Sequence, residues 1–450
     1  MRRAGFGVGR AELEGLAEKG YEALVEDLLH PEEFPDAEPD VLYRWSTVNG
    51  RDRFPGNWLY RMTNTGRPLT EKMALFWHHV FPTGSGKSAE YVGDQIEMFR
   101  RVALSDTRTI LTELSEDPAM IMWLDNQENH KEEPNENYGR ELLELFSMGV
   151  GNYTEEDVKA ATRSFTGWSF LDPVLGSGVR EGNFPSRFLF FEDNHDETPK
   201  SFLGETGRFN GEDIVDIIVR QPACARFISR HLYTFFVADE PQVASWNETP
   251  PRDPGAIHTL VKAYFESDGD IRSVLRVLFN SDFFKQAQYA RVKSPAEHVA
   301  GVLKLMGTYT LPDLRRGGPE SSMGLMGQSL QNPLTVEGWH TGRDWIDGGT
   351  LNERVNYAVE QVNDPDTPGF KDIVDRLASR SPLAPEEFVE STLELAGYVT
   401  VDEDTRQELL DHAELGGDLS FVSEAERDEN EKRVLQMLRL IVSTREYQFN

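Results

Sequence analysis

The sequence predicts a mainly α-helical protein, a large single-domain multi-helix bundle with loop insertions and at most a small β-hairpin. Apolar residues recur at helical spacing from end to end of the 450 residues. Only residues 187–192 have the short, aromatic pattern of a strand. Hydrophobic residues make up 38% of the chain, which is enough to fill a large core.

Helices are predicted wherever this periodicity continues over ten residues or more. In the first half, Thr154 and Asp157 have the spacing of a capping box at the start of one of them. Clear examples of predicted helices span residues 10–30, 70–81, 88–103, 137–148, 154–168, 211–220, 223–237, 270–284, 294–306, 350–362 and 425–443.

Clusters of Pro, Gly, Asn and Asp interrupt the helices near residues 35–55, 171–186, 239–254 and 310–320. No internal repeat or low-complexity tract accompanies them, and apolar helices continue on both sides of each cluster. We therefore interpret them as loop insertions in a single domain that spans residues 1–450.

The charge and cysteine content exclude several classes of function. A net charge of -31 opposes nucleic-acid binding, because Lys and Arg supply most of the affinity for phosphates. Cys224 is the single cysteine, so no intramolecular disulfide can form. No apolar run is long enough to span a membrane, and the first residues lack the apolar stretch of a signal peptide, which leaves the localisation unknown.

The predicted helix from residue 137 has two opposed faces. Its apolar face carries Tyr138, Leu142, Leu145 and Phe146. Its polar face carries Asn137, Arg140, Glu141 and Glu144. This face is either solvated, with Arg140 and Glu144 as an exposed ion pair, or it lines a site.

Two adjacent histidines, His78 and His79, lie opposite the apolar stripe of the predicted helix 70–81, and both faces of this helix are expected to be buried. An imidazole there can act as general acid or base or bind a metal. The alternative is a hydrogen-bonded core histidine. Neighbouring rings point about 100° apart, so one metal bound by both is not expected.

A polar loop after the predicted strand carries His195 and Asp196, where a carboxylate can orient an imidazole. It lacks the Gly and distal Glu of a calcium loop. The loop is therefore either a surface turn or part of a site.

A second candidate segment has two tryptophans, Trp339 and Trp345, around His340 and Arg343. Aromatic walls with nearby hydrogen-bonding groups suit sugar rings and other flat polar ligands. The alternative is that these residues cap the core. Phosphate-loop, dinucleotide-binding, zincin and serine-hydrolase signatures are absent from the sequence.

Taken in order, several segments resemble the recurring motifs of the bacterial domain-of-unknown-function family numbered 1800. The segments are residues 2–8, 70–81, 135–150, 154–168, 200–204, 222–226, 291–295 and 327–345. The resemblance implies an exported bacterial protein, often encoded beside a family related to sulfatases. This chain departs from the family pattern by starting inside the first motif, and by His79-Val80 where Asn-His is frequent.

The leading hypothesis is an enzyme, metal-assisted or acid/base and hydrolase-like, acting on a small-molecule or glycan-like polar substrate. Glu141 and Glu144 are expected as acid/base or metal-binding carboxylates, and His78 or His195 as the proton carrier. Arg140 would position an anionic group. A divalent metal is compatible with these groups, although its identity is unknown. The alternatives are a non-catalytic helical scaffold that binds a sulfatase-like protein, and a haem protein with His78 or His79 as axial ligand.

Overall fold

The computed structural model describes residues 1–44, 54–172, 186–241, 243, 245–312 and 318–450, and it confirms the mainly α-helical prediction. In the first part of the chain, the helices are α1 (Arg10–Lys19), α2 (Tyr21–Leu29), α3 (Pro39–Arg44), α4 (Phe54–Asn64), α5 (Pro68–Val80), α6 (Ser85–Ser88), α7 (Val92–Arg101), α8 (Thr107–Glu116), α9 (Pro118–Trp123), α10 (Asn137–Glu144) and α11 (Glu155–Ser164).

The second part of the chain continues the same architecture. Its helices are α12 (Gly211–Val219), α13 (Pro222–Phe236), α14 (Pro254–Glu266), α15 (Ile271–Asn280), α16 (Asp282–Gln286), α17 (Pro295–Met306), α18 (Pro319–Leu325), α19 (Gly348–Val362), α20 (Pro368–Ser379), α21 (Pro385–Leu395), α22 (Glu403–Glu414) and α23 (Glu424–Ser443). Short 3-10 helices are found at Pro31–Glu33, Asn126–Glu128, Glu192–Asn194, Gly342–Trp345 and Glu446–Gln448.

Two small antiparallel hairpins stand between α11 and α12. The strand expected at residues 187–192 is β2 (Arg187–Phe190), which pairs with β1 (Trp168–Leu171), so that Trp168 faces Phe190. Its partner is therefore the segment just before the Gly-rich stretch. The second hairpin, β3 (Lys200–Phe202) with β4 (Glu205–Gly207), was not predicted, since three-residue strands are too short to show an alternating pattern.

Several helix ends differ from the predicted ones. Residues 10–30 form two helices, because Gly20 has a φ of 85° and breaks the chain direction. The capping box of Thr154 and Asp157 is present at the start of α11. That helix ends at Ser164, and Trp168 begins a strand, with Gly167 at a φ of 78° between them.

The predicted insertions lie between packed helices. Residues 239–253 contain no helix or strand in their described part, whereas the insertion near residues 35–55 contains α3. Parts of three predicted insertions lie outside the described residues. These parts are residues 45–53, 173–185 and 313–317.

The core is a continuous cluster of buried apolar side chains that runs from Ala4 to Tyr447. Helix α5 lies within it, and ten of its thirteen residues are buried. Among the described residues, no helix is both long and apolar enough to cross a membrane. Cys224 is buried in α13, where burial raises the pKa of its thiol to about 12.

Candidate functional site

The polar face of α10 is only partly turned to solvent. Asn137 is exposed, whereas Arg140, Glu141 and Glu144 are half-buried. Arg140 binds Glu136 at 3.1 Å and Glu155 at 2.8 Å. The exposed pair of Arg140 with Glu144, which was one sequence interpretation, is therefore not formed.

The two carboxylates of this face have different surroundings. Glu144 Oε2 accepts a hydrogen bond from the Tyr153 hydroxyl at 2.8 Å. The Glu141 carboxylate makes no hydrogen bond or ion pair with any described residue. Burial, and then the charge of Glu144, raise the pKa of Glu141 to about 7. The pair thus contains one carboxyl group that is half protonated near neutral pH.

A tight turn at residues 335–338 reaches both α10 and α5. Its backbone closes through a hydrogen bond from the Gly338 N–H to the Thr335 carbonyl oxygen at 3.1 Å. The charge of Glu337 in this turn contributes to the raised pKa of Glu141. On the other side, Gly338 packs so closely on the His79 carbonyl that an added Cβ would lie 2.3 Å from its oxygen. This segment, which we call the 335–338 turn, connects the carboxylates with the histidine helix.

His78 is fully buried and belongs to a chain of polar groups in the core. Its Nδ1 lies 3.3 Å from Gln95 Oε1, which also accepts a hydrogen bond from the Thr83 hydroxyl at 2.7 Å. The Gln95 amide donates in turn to Asp117 at 2.7 Å. Burial lowers the pKa of His78 to about 3 and raises that of Asp117 to about 7, so the imidazole is neutral. This environment matches the interpretation of a hydrogen-bonded core histidine.

His79 is oriented differently, towards the tryptophan segment. Its Nδ1 accepts a hydrogen bond from the backbone N–H of Trp339 at 3.3 Å, and the two rings are stacked with an interplanar angle of 8°. Trp339 also contacts the edge of His78, with ring centroids 5.4 Å apart. The structure therefore brings two predicted segments, α5 and residues 339–345, into direct contact.

A small cavity of about 40 Å³ lies beside this contact. Its apolar walls include Leu75, Phe235, Trp339 and Trp345, and its polar lining includes His79, His231, Asp239, Arg291, Gln328 and His340. Trp339 and Trp345 are both buried, while the His340 side chain is 58% exposed. Arg343 is exposed and does not line the cavity.

Sequence reasoning missed several of these lining residues. His231 lies on α13 among apolar residues and resembles a core histidine. Its imidazole ring contacts the rings of Phe227 and Trp246. Burial, followed by the neighbouring His79, lowers the pKa of His231 to about 3. Asp239 lies in the loop after α13 and Arg291 lies just before α17, and no spacing in the sequence relates the two residues. Only the tertiary fold brings these groups together.

The loop of His195 and Asp196 lies in a separate, open and mostly acidic recess. His195 Nδ1 donates to the Thr166 carbonyl at 2.9 Å, and Asp196 binds Arg163 at 2.7 Å. Among the described residues, no hydrogen bond, ion pair or ring contact joins His195 to Glu141 or to the buried histidines.

Metal-assisted hydrolysis is the preferred subclass of the enzyme hypothesis that the sequence supports. Within the part of the chain that the structure describes, no group of three or more His, Cys, Asp and Glu side chains is arranged to hold a metal ion. The carboxylate pair of Glu141 and Glu144 is the nearest arrangement to the predicted one, and it has no imidazole partner among its contacts.

Comparison with known proteins gives one match. A family model described as "Protein of unknown function (DUF1800)" matches residues 1–449. No curated protein and no solved structure matches the chain. The hypotheses of a helical scaffold, of a sulfatase-like partner and of haem binding stay predictions.

Proposed function

The chain belongs to the DUF1800 family, whose description gives no activity, and from this premise we propose that it is an acid/base, hydrolase-like enzyme for a polar or carbohydrate-like substrate. The observation that carries the proposal is the state of the Glu141 carboxyl group. It is half-buried, has no hydrogen-bond or ion-pair partner among the described residues, and lies beside Glu144. A carboxyl group in this state is available to exchange a proton with a ligand.

The two carboxylates are suited to different roles. With its pKa near 7, Glu141 retains a proton at neutral pH and can donate it to the oxygen of a leaving group. Glu144, which accepts a hydrogen bond from the Tyr153 hydroxyl, would be the partner that activates water or stabilises positive charge. This acid/base scheme needs only residues that lie together, and for that reason we propose it rather than the metal-assisted form.

The aromatic cavity supplies a binding site next to these groups. Trp339 and Trp345 form its walls, and Glu337, two residues before Trp339, contributes its charge to the raised pKa of Glu141. In this proposal, a polar group of the substrate enters the cavity while the bond to be cleaved lies over α10. His78 takes no part in proton transfer, since its ring is buried and neutral, and it serves as the support against which Trp339 packs.

The test is a hydrolysis screen with the full chain and three variants. Substrates would include 4-nitrophenyl glycosides and esters, together with glycans whose cleavage is followed by their new reducing ends. We expect turnover that declines as the pH rises above about 7, because the general acid must be protonated. Glu141→Gln and Glu144→Gln should each lower kcat by about 100-fold or more.

The control is Glu155→Gln, which removes an exposed carboxylate that binds only Arg140. This variant should retain wild-type turnover. Glu141→Gln should also lose less activity on 4-nitrophenyl substrates than on glycans, since nitrophenolate leaves without protonation. Full activity of Glu141→Gln on a substrate with a poor leaving group would contradict the proposal.

A further inference from the structure

We propose that the cavity between Trp339 and Trp345 is a binding site for a small carboxylate group. The inference rests on the proposed function only in regarding this group as part of the substrate, because the binding itself requires no reaction. The argument comes from hydrogen-bond donors that line the cavity and have no partner, and from the charges behind it.

The first donor is the side-chain amide of Gln328, which is buried and lines the cavity. Its Oε1 accepts a hydrogen bond from the Ala296 N–H at 2.9 Å, and this contact fixes which end of the amide is nitrogen. The Nε2 group has no acceptor among the described residues. Both of its N–H bonds are therefore available to a ligand.

The second donor is His79. Its Nδ1 accepts the Trp339 N–H, and burial lowers the pKa of the ring to about 4, so the neutral imidazole carries its proton on Nε2. No described residue accepts a hydrogen bond from this Nε2. The tautomer thus presents an N–H group at the cavity.

The third donor is Arg291, whose side chain is 6% exposed. Its terminal nitrogens bind the Glu297 carboxylate, one of them at 2.8 Å, whereas its Nε is buried without a hydrogen-bond partner. An unpaired buried N–H group costs about 1–3 kcal/mol, and an acceptor oxygen in the cavity would remove this cost.

Two buried cations lie at or behind the wall of the cavity. Glu297 is the single carboxylate between two buried cations, Arg291 and Lys72. The Lys72 ammonium group also donates a hydrogen bond to the Gly5 carbonyl oxygen at 3.1 Å. These three side chains carry one excess positive charge, and Asp239, whose charge raises the pKa of Arg291, is a further acidic group that offsets it.

Asp239 is the one acidic side chain of the lining, so the position of the bound anion must be consistent with this carboxyl group. One of its oxygens accepts the Val292 N–H at 2.9 Å, and burial raises the pKa of its carboxyl group. Since an ionised carboxyl group only accepts hydrogen bonds, the ligand oxygens are expected on the side of the Gln328 and His79 donors.

The experiment measures acetate binding to the full chain by calorimetry at constant ionic strength, with acetamide as an uncharged ligand of the same shape. We expect acetate to bind at least about tenfold more tightly than acetamide. Gln328→Glu keeps an oxygen for the Ala296 N–H and replaces the free amide donor by a carboxylate oxygen. It should weaken acetate binding by about tenfold or more, and His79→Phe, which lacks the Nε2–H donor, should also weaken it.

The matched control is Gln407→Glu, which adds the same charge on the exposed surface of α22, outside the cavity. It should bind acetate as the wild type does. Acetate binding involves no turnover, so a failure of the proposed catalysis is distinguishable from a failure of the cavity. No acetate binding by the folded wild type, equal affinity for acetamide, or wild-type acetate affinity in both cavity variants would overturn the proposal.

Discussion

Trp339 is attached to His79 by both its backbone and its ring, since its N–H donates to His79 Nδ1 at 3.3 Å and the rings stack 6.3 Å apart. This contact holds the segment rich in Gly and Trp, which lies between α18 and α19, against α5. The glycine before it allows the backbone to reach α5, and the indole then closes one wall of the cavity.

The docking of the 335–338 turn should depend on Gly338. In Gly338→Ala, the new Cβ would lie 2.3 Å from the His79 carbonyl oxygen, at a residue whose φ is +92°. We expect a loss of about 2 kcal/mol or more in the free energy of unfolding, measured by urea titration. Gly348→Ala is the control, because nothing lies within 4 Å of its added Cβ. Equal stability of the two variants would contradict the observed packing.

The buried ion pairs of Glu297 should matter more than surface pairs. Glu297→Gln leaves Arg291 and Lys72 without a carboxylate, and we expect it to lower the free energy of unfolding by about 3–5 kcal/mol. Glu113→Gln, which removes the surface partner of Arg101, should cost about 1 kcal/mol or less. Chemical denaturation of both variants measures the difference, and similar losses would argue against the buried network.

Glu141 should give the protein a recognisable pH dependence of stability. Its folded-state pKa of about 7 exceeds the unfolded value of about 4.5, so the folded state holds the extra proton between these values. Stability contributed by this group is present below pH 4.5 and is lost as the pH rises through 7. After allowance for solvent screening of a half-buried group, the loss is about 1 kcal/mol.

The measurement is the melting temperature of the wild type and of Glu141→Gln across this pH range. Between pH 5 and pH 8 the melting temperature of the variant should rise relative to that of the wild type, since the amide of the variant cannot ionise. A constant difference between the two proteins would mean that the carboxyl group titrates at its ordinary pKa.

The polar chain in the core should be sensitive to Gln95. In Gln95→Met, His78, Thr83 and Asp117 each lose a hydrogen-bond partner in a buried position. We expect a destabilisation of about 2 kcal/mol or more by urea titration. Gln407→Met changes an exposed residue of α22 and should alter stability by less than about 0.5 kcal/mol.

Local pattern predicted the helices well, because an apolar stripe of period 3.6 is a property of neighbouring residues. Their ends were less predictable. The break at Gly20 depends on a positive φ that the periodic pattern on both sides conceals, and the paired strand at Trp168 depends on contact with Phe190. Such features are determined by distant parts of the chain.

The candidate site was predictable in part for the same reason. The polar face with Glu141 and the aromatic segment with Trp339 are visible as local patterns. The relation between them is not, since the 335–338 turn brings together residues almost two hundred positions apart. The sequence around His231 and Arg291 does not mark them as site residues. His231 lies in the amphipathic helix α13 and Arg291 lies just before α17, and only the folded structure shows that both line the cavity.

The 335–338 turn has a thermodynamic consequence. It holds Glu337 near Glu141 on one side and rests against His79 on the other, so a ligand that displaces it alters the separation of the two glutamates. A ligand that moved this turn would change the proton affinity of Glu141, and because linkage is reciprocal, protonation of Glu141 would change the affinity for that ligand by the same free energy. The pKa of Glu141 would then depend on whether such a ligand is bound.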